Sequence, residues 1–443
     1  MKDEVSENYT LTKLARTSSF SLHPSSFLHV PLASPYWNGE TYRAIFRSLL
    51  HRAIIDGSDI AELRSLLIER LGVTAAGLCG SGSLALELAL RACGVQRGDE
   101  VVIPTFCCSA IVPPILAAGA TPVLADVGAE LNLTAETVEA VWTRNTRAIV
   151  VPHLFGNPAD IEAIIDFARR RNVRVIDDAA QALGAAINGR PLGGFGDAGV
   201  VSFGDEKICF GLGGGVLITN QPGSIVDLAP GLSQARSSAI LRRLAGTLFY
   251  RRWRRWTLSL GRVLKLQEQV DPDTPPPLYP MTGMANLQAA VAVSLIRTLD
   301  ENVAARRVRA RAYRELLGNE PGLELIPHRP GSACLAQVIR LLAKRPGHDA
   351  AVRLIAALGS RGFEVQGSYV PIHLLDPCEK CVWDALPYAD RVWTDLVELP
   401  CEPTVGLEDV ERISSEVRKF CRAQTTTRFS QSTDSGSTAS GTL

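Results

Sequence analysis

Between Glu100 and Asp177 the chain alternates short continuous apolar runs with stretches whose apolar residues recur every three or four positions. The first pattern reads as buried strand and the second as amphipathic helix. Strands are predicted at Glu100–Pro104, Thr121–Ala125, Ala148–Val151 and Val173–Asp177, with helices between them at Ser109–Ala118, Ala135–Trp142 and Ala159–Arg171. Strict alternation with short links predicts a mainly parallel sheet covered by helices. Upstream, two amphipathic helices follow a short extended segment at Val30, and the second carries Ile60, Leu63, Leu66 and Leu67 on one face. Next, Gly80-Ser81-Gly82-Ser83 is a small-residue turn that opens a helix reaching about Ala92. Downstream, Tyr279 opens one long helix predicted to run to about Leu317. Beyond it the pattern becomes α+β, with strands at Leu335–Leu342 and Glu364–Val370, a helix at His348–Ser360 and a closing helix from Leu407.

These shifts divide the chain into a polar leader (1–28), a large α/β domain (29–222), an insert (223–277), an interdomain helix (278–322), a small C-terminal domain (323–423) and a Ser/Thr/Gly-rich tail (424–443). The leader is expected to be flexible and the tail disordered. In the insert, Leu241–Trp256 interleaves arginines with Phe249, Tyr250, Trp253 and Trp256, and a stiff Pro-rich linker, Asp271–Pro277, follows. Its simplest reading is an amphipathic helix with packed aromatics and paired arginines. The alternative is contact of residues 241–262 with an anionic membrane surface or a protein partner.

Composition adds three limits. An apolar share of 46% in 443 residues supports a sizeable core, and a formal net charge of zero argues against nucleic acid as the main partner. The ten cysteines fall mostly inside apolar runs such as Phe106-Cys107-Cys108, the pattern of reduced thiols in a cytoplasmic protein. Cys378 and Cys381 form the only CxxC, and without a second pair no metal site is expected. Neither a membrane-spanning apolar run nor a signal peptide is expected.

Candidate chemistry concentrates between Val173 and Asn220. One apolar run ends at Asp177-Asp178, and another, Ala198–Phe203, ends at Gly204-Asp205-Glu206-Lys207. Ligands of open α/β sheets bind at such carboxyl ends. Lys207 therefore sits on a turn beside a crevice, followed by Gly211, Gly213, Gly214 and Gly215, which would let a cofactor approach closely. Desolvation there would move the lysine towards an attacking amine, as Schiff-base chemistry requires. The plainer alternatives are a solvated loop lysine and, for Asp178, a helix N-cap. The Gly82-Ser83 turn offers free backbone N–H groups and a positive helix end to a phosphate.

Asp178-Ala179-Ala180-Gln181, followed by Ser202 and then Lys207, resembles the DegT/DnrJ/EryC1/StrS family of pyridoxal-phosphate sugar aminotransferases, which have the type I aminotransferase fold. The resemblance implies pyridoxal 5′-phosphate as cofactor, with Lys207 holding it covalently and serving as general base and acid. It places Asp178 at the pyridinium nitrogen, Gln181 near the ring substituents, and Ser202, Gly82 and Ser83 at the phosphate. A carboxylate at that nitrogen keeps it protonated, so the ring can take up the electrons of a carbanion. The family's ring-stacking aromatic falls on Cys108, leaving Phe106 as the nearby aromatic. His153-Leu154-Phe155-Gly156 is similar to the family's HLYG, and the Tyr369–His373 run to its C-terminal domain; His153, Tyr369 and His373 are thus candidate substrate contacts. Met284, Gln288, Ala289 and Ala290 agree with the family's helix-opening motif. The Asn and Arg that it directs at the neighbouring subunit's site fall on Met281 and Gly283. The link Asp56-Gly57-Ser58 matches one that lies near the active site in the family.

The function so implied is transfer of an amino group, from glutamate, to a nucleotide-linked keto-sugar for polysaccharide, lipopolysaccharide or glycosylated-metabolite biosynthesis, by a homodimer. Two alternatives remain: another pyridoxal-phosphate reaction on the same fold, or a degenerate member acting in binding or assembly. Dehydratase relatives carry His in place of the lysine, and Lys207 speaks against that branch.

Overall fold

The computed structural model describes residues 30–220, 231–248, 279–342, 349–375 and 380–433. The leader, the linker at 271–277, Trp253, Trp256, Cys378 and residues 434–443 lie outside them.

The apolar runs become the strands of one sheet: β1 (Ala75–Cys79), β2 (Glu100–Pro104), β3 (Thr121–Ala125), β4 (Thr146–Pro152), β5 (Arg174–Asp178), β6 (Ala198–Ser202) and β7 (Gly215–Thr219). Their order across the sheet is β1-β7-β6-β5-β4-β2-β3, and β7 alone runs antiparallel to its neighbours. Alternate residues of each strand face opposite layers. Val102, Val151, Val175 and Val201 join one apolar cluster, whereas Val101, Val150, Ile176 and Val200 join the other. Helices α1 (Gly39–Leu50), α2 (Asp59–Leu71), α3 (Gly82–Ala92), α4 (Val112–Ala117), α5 (Ala135–Val141) and α6 (Ile161–Arg171) punctuate the strands. This is the α/β architecture expected.

The pattern did not predict β1 or β7. Ala75-Ala-Gly-Leu-Cys79 contains no β-branched residue, and its strand form comes from pairing with β7. That pairing matters for the site. Gly215 stands opposite both Cys79 and Ser202, which sets the end of β6 beside the turn that opens α3.

The predicted long helix is two, α7 (Asn286–Arg297) and α8 (Leu299–Leu317), broken at Thr298 (φ −107°, ψ 14°). Before them, residues around Thr282 and Gly283 are extended and bridge to Ser233 and Cys79. The two helices meet different surroundings: α7 is buried on all sides from Asn286 to Ile296, while α8 is amphipathic, packing Leu299 and Val303 into the large core and Ala310, Tyr313 and Leu317 into the C-terminal lobe. Helical residues 237–248 of the insert dock Ile240 and Leu244 into the large core. Among the described residues no helix is long and apolar enough to cross a membrane.

The C-terminal lobe has an antiparallel sheet of β8 (Leu323–Leu325), β9 (Ala336–Leu341), β10 (Gln366–Gly367) and β11 (Leu396–Pro400), with α9 (Asp349–Ser360) and α10 (Leu407–Thr433) around Leu354, Leu399 and Val410. The strand predicted at Glu364–Val370 shrinks to β10 at the sheet's edge. The closing helix runs on to Thr433, past the predicted start of the disordered tail; once packing of Val410, Ile413 and Val417 has nucleated it, each added turn costs little.

Arg306 of α8 ties the lobe to the helix. Its Nη2 lies 2.6 Å from Glu402 Oε2, Nε donates to Asn302 (2.8 Å) and Nη1 to the Leu335 carbonyl (3.1 Å), with Arg306, Asn302 and Glu402 all buried. Removing one partner of such a pair leaves a buried charge uncompensated and costs about 3–5 kcal/mol. Glu402→Ala is accordingly expected to lower the urea midpoint markedly; an unchanged midpoint would show that water reaches Arg306.

Candidate active site

Asp177 and Asp178 close β5, and strand geometry sends them to opposite sides. Asp177 is sealed in. One oxygen accepts from His153 Nε2 (2.9 Å) and the other from the Gly193 and Phe195 amides (2.7 and 2.9 Å). His153 is fully buried too, and its Nδ1 accepts from Ala159 N–H (2.9 Å), so both ring nitrogens are engaged inside the fold. This corrects the expectation of His153 as a substrate contact; it orients Asp177.

Asp178 instead lines a cleft of about 150 Å³ at the carboxyl ends of the strands, together with Lys207, Gln181, Ser202, Gly82, Ser83 and Cys108. Among the described residues its carboxylate accepts one hydrogen bond, from Ala180 N–H (3.0 Å). Burial pushes its pKa up, opposed by that bond and by the charge of Lys207.

Three features place Lys207. The Phe203 carbonyl accepts from Gly211 and Gly213 (3.2 and 3.1 Å), closing the loop behind the lysine. Gly204 N–H donates to Ser202 Oγ (3.3 Å). Glu206, immediately before the lysine, takes a left-handed conformation (φ 61°), which costs a side-chain-bearing residue roughly 1–3 kcal/mol. The loop is braced by residues that local pattern could not reveal. Gln288 of α7 donates to the Leu212 carbonyl (2.8 Å), Met284 packs on Gly214, and Arg243 of the insert pairs with Asp205 (2.7 Å). Of the glycines expected to admit a cofactor, Gly215 serves backbone packing, since a Cβ there would lie 2.2 Å from the Ser81 carbonyl oxygen, while Gly213 and Gly214 make room for the Arg243 and Met284 side chains.

At the opposite corner Ser81 caps α3, accepting from Leu84 N–H (3.2 Å). The amides of Gly82 and Ser83, one turn too early to find an acceptor within the helix, remain available. A Cβ on Gly82 would come within 2.8 Å of Ser202 Oγ, so glycine there lets the hydroxyl and the helix end share one corner.

Cys108 lines the cleft, and among the described residues no aromatic side chain does. Phe106 is fully buried with its edge on Tyr369 (6.1 Å), which removes it as a cover for a ring. Tyr369 and His373 lie outside the lining. Tyr369 Oη accepts from Gln181 Nε2 (3.1 Å). His373 bridges Thr105 Oγ1 (2.8 Å) and Asp390 (2.9 Å), tying the C-terminal lobe to the turn after β2; burial holds its pKa down, against the pull of Asp390. Met281 is partly exposed, Gly283 has open space around it, and the 56–58 link packs Gly57 on Asn286 away from the cleft.

A mainly parallel sheet whose strand ends carry an acid, an amide and a hydroxyl beside a turn lysine has the layout of an aminotransferase. The chain belongs to the DegT/DnrJ/EryC1/StrS aminotransferase family, whose profile matches residues 37–418. It is 30% identical to a GDP-perosamine synthase of Caulobacter vibrioides over 81% of this chain and 88% of that protein. It is 44% identical to a pleiotropic regulatory protein of Geobacillus stearothermophilus over 78% of this chain and 84% of the other. Its fold superposes on the aminotransferase TlmJ from Streptoalloteichus hindustanus with a TM-score of 0.73 and 25% identity, covering 89% of this chain and 100% of that one.

Of the described cysteines Cys108 alone is not buried, and burial pushes the Cys107 thiol up. Brief treatment with iodoacetamide should label Cys108 ahead of the other described cysteines in peptide mass maps. Equal labelling of Cys107 would show that the cleft opens more widely in solution.

Proposed function

We propose that this protein transfers an amino group from glutamate to a nucleotide-linked keto-sugar, using pyridoxal 5′-phosphate held in the Lys207 cleft. The observation that carries the reading is the convergence of Lys207, Asp178, Gln181, Ser202 and the α3 N-terminus on one cleft. The fit to the cofactor rests on Asp178, a half-buried carboxylate that faces the cleft with one described hydrogen bond and room for a cationic ring N–H. The Gly82 and Ser83 amides with Ser202 Oγ offer donors of the kind a phosphate needs. When bound, the cofactor supplies an electron sink for the carbon that carries the amine. Asp178 would keep the ring nitrogen protonated. Lys207 Nζ would bind the cofactor and, once displaced by the substrate amine, accept and return the proton that leaves that carbon. Met284, Gln288 and the Arg243–Asp205 pair would keep the lysine aimed into the cleft. The acceptor class is supported by the likeness to GDP-perosamine synthase, and glutamate by the family resemblance alone.

The same reading includes a homodimer working in the cytoplasm. The dimer is supported by α1, whose Tyr42, Phe46, Leu49 and Leu50 leave an apolar stripe exposed beside a buried one. Contact of residues 241–262 with an anionic surface or a protein partner is supported by their Arg/Trp composition; within them, 241–248 are described and pack against the large core through Leu244.

Borohydride reduction of the loaded protein should fix the cofactor on Lys207, and Lys207→Ala should lose both that label and at least ~10²-fold in amino transfer. A label on another lysine would overturn the assignment. The pH dependence follows from Asp178. Burial raises its pKa, so as pH falls the carboxyl becomes neutral earlier than an ordinary aspartate and can no longer pair with the ring cation. Affinity for pyridoxal phosphate should therefore drop on the acid side. In Asp178→Asn it should be weaker at neutral pH and lack that drop; parallel profiles would exclude Asp178 as the ring's partner.

A further inference from the structure

Tyr369 stands outside the cleft, yet its hydroxyl is bonded to a residue that lines it. We propose that Tyr369 is a positioning residue that fixes the Gln181 carboxamide with an N–H, not its oxygen, presented to the cleft. The proposal deepens the cofactor reading above and rests on it for the identity of the ligand.

A carboxamide can be turned end for end, so its orientation has to follow from its partners. Phe155 N–H, 3.1 Å away, is a donor and can be met only by Oε1. That N–H has little freedom to swing. Phe155 is left-handed (φ 56°, ψ 22°), and Gly156 after it has φ 76° with no space for a Cβ, which would lie 2.8 Å from Leu335 N. The Phe155 and Gly156 carbonyls accept from Leu335 and Ala333 (2.8 and 2.9 Å), clamping the turn to the chain ahead of β9. With Oε1 committed, Nε2 has two hydrogens. One goes to Tyr369 Oη, which must accept because an amide nitrogen cannot.

Tyr369 is itself held by two rings. Phe155 stacks on it at 5.9 Å with planes 28° apart, and Phe106 meets it edge-on at 6.1 Å. The residue that supplies the backbone donor thus also holds the hydroxyl acceptor, and Gln181 is gripped at both ends of its amide. The second Nε2 hydrogen remains for a ligand.

The cleft then presents two polarities three residues apart, an acceptor at Asp178 and a donor at Gln181. A flat ring with a cationic N–H on one side and an anionic oxygen on another matches both. The ring of pyridoxal phosphate has such a pair, its nitrogen and its phenolic oxygen.

The test is a double-mutant cycle on pyridoxal phosphate affinity, measured by absorbance titration of wild type, Tyr369→Phe, Gln181→Ala and the double variant. Phenylalanine keeps the ring stack, so the single variant should retain the wild-type melting temperature. Tyr369→Phe should weaken binding about 5-fold, the worth of one neutral hydrogen bond, and should have no further effect in the Gln181→Ala background. An equal loss in both backgrounds, or no loss in either, overturns the proposal. A ligand-independent arm separates this from failure of the cofactor reading. In the ligand-free protein the Gln181 side-chain amide signals, assigned by their absence in Gln181→Ala, should be shifted and protected from exchange. Tyr369→Phe should abolish that protection; signals unchanged by the substitution would also overturn it.

Discussion

The alternation of side chains at the end of β5 is the constraint on which the rest of the site depends. Two adjacent carboxylates cannot share one environment on a strand. Asp177 goes inward, where His153 and two backbone amides satisfy it, and that network fixes the loop carrying Gly193 and Phe195. Asp178 goes to the cleft and accepts one hydrogen bond among the described residues. Desolvating a charge that has one hydrogen bond is unfavourable by itself, a local penalty that a cationic ligand group would relieve. The sealed acid holds the cleft-facing one in place.

Much of this was legible locally. The alternation of apolar runs located β2 to β6, and the residues that end β5 and β6 announced where chemistry could sit. Asp178, Gln181, Ser202 and Lys207 lie close together in sequence and at strand ends, so reading strands was enough to bring them together. What escaped was decided by partners distant in sequence. The strand at Ala75–Cys79 exists because β7 lies beside it, and the break at Thr298 reflects the different surroundings of α7 and α8. His153 and Tyr369 were visible as residues, but whether each faced the cleft or stood behind it depended on Ala159, Asp177 and Gln181.

The lysine turn shows how separate parts of the chain share one task. Its own backbone closes on Phe203, but α7 and the insert press on it from outside through Gln288, Met284 and Arg243. The first part of the insert is therefore built into the large core through Ile240 and Leu244 rather than appended to it. Cys108 gives the cleft a small polarizable wall where the family places an aromatic ring, and Phe106 is drawn into the packing around Tyr369.

Every described residue lining the cleft falls between positions 82 and 207, whereas the hydroxyl that holds Gln181 is at position 369, 188 residues beyond it. During synthesis the ribosome would release all of the cleft's own side chains long before that hydroxyl. A nascent chain could thus carry a complete inventory of site residues with the Gln181 amide bonded only at its oxygen. Completion of the site belongs to the finished chain, at the moment the C-terminal lobe docks.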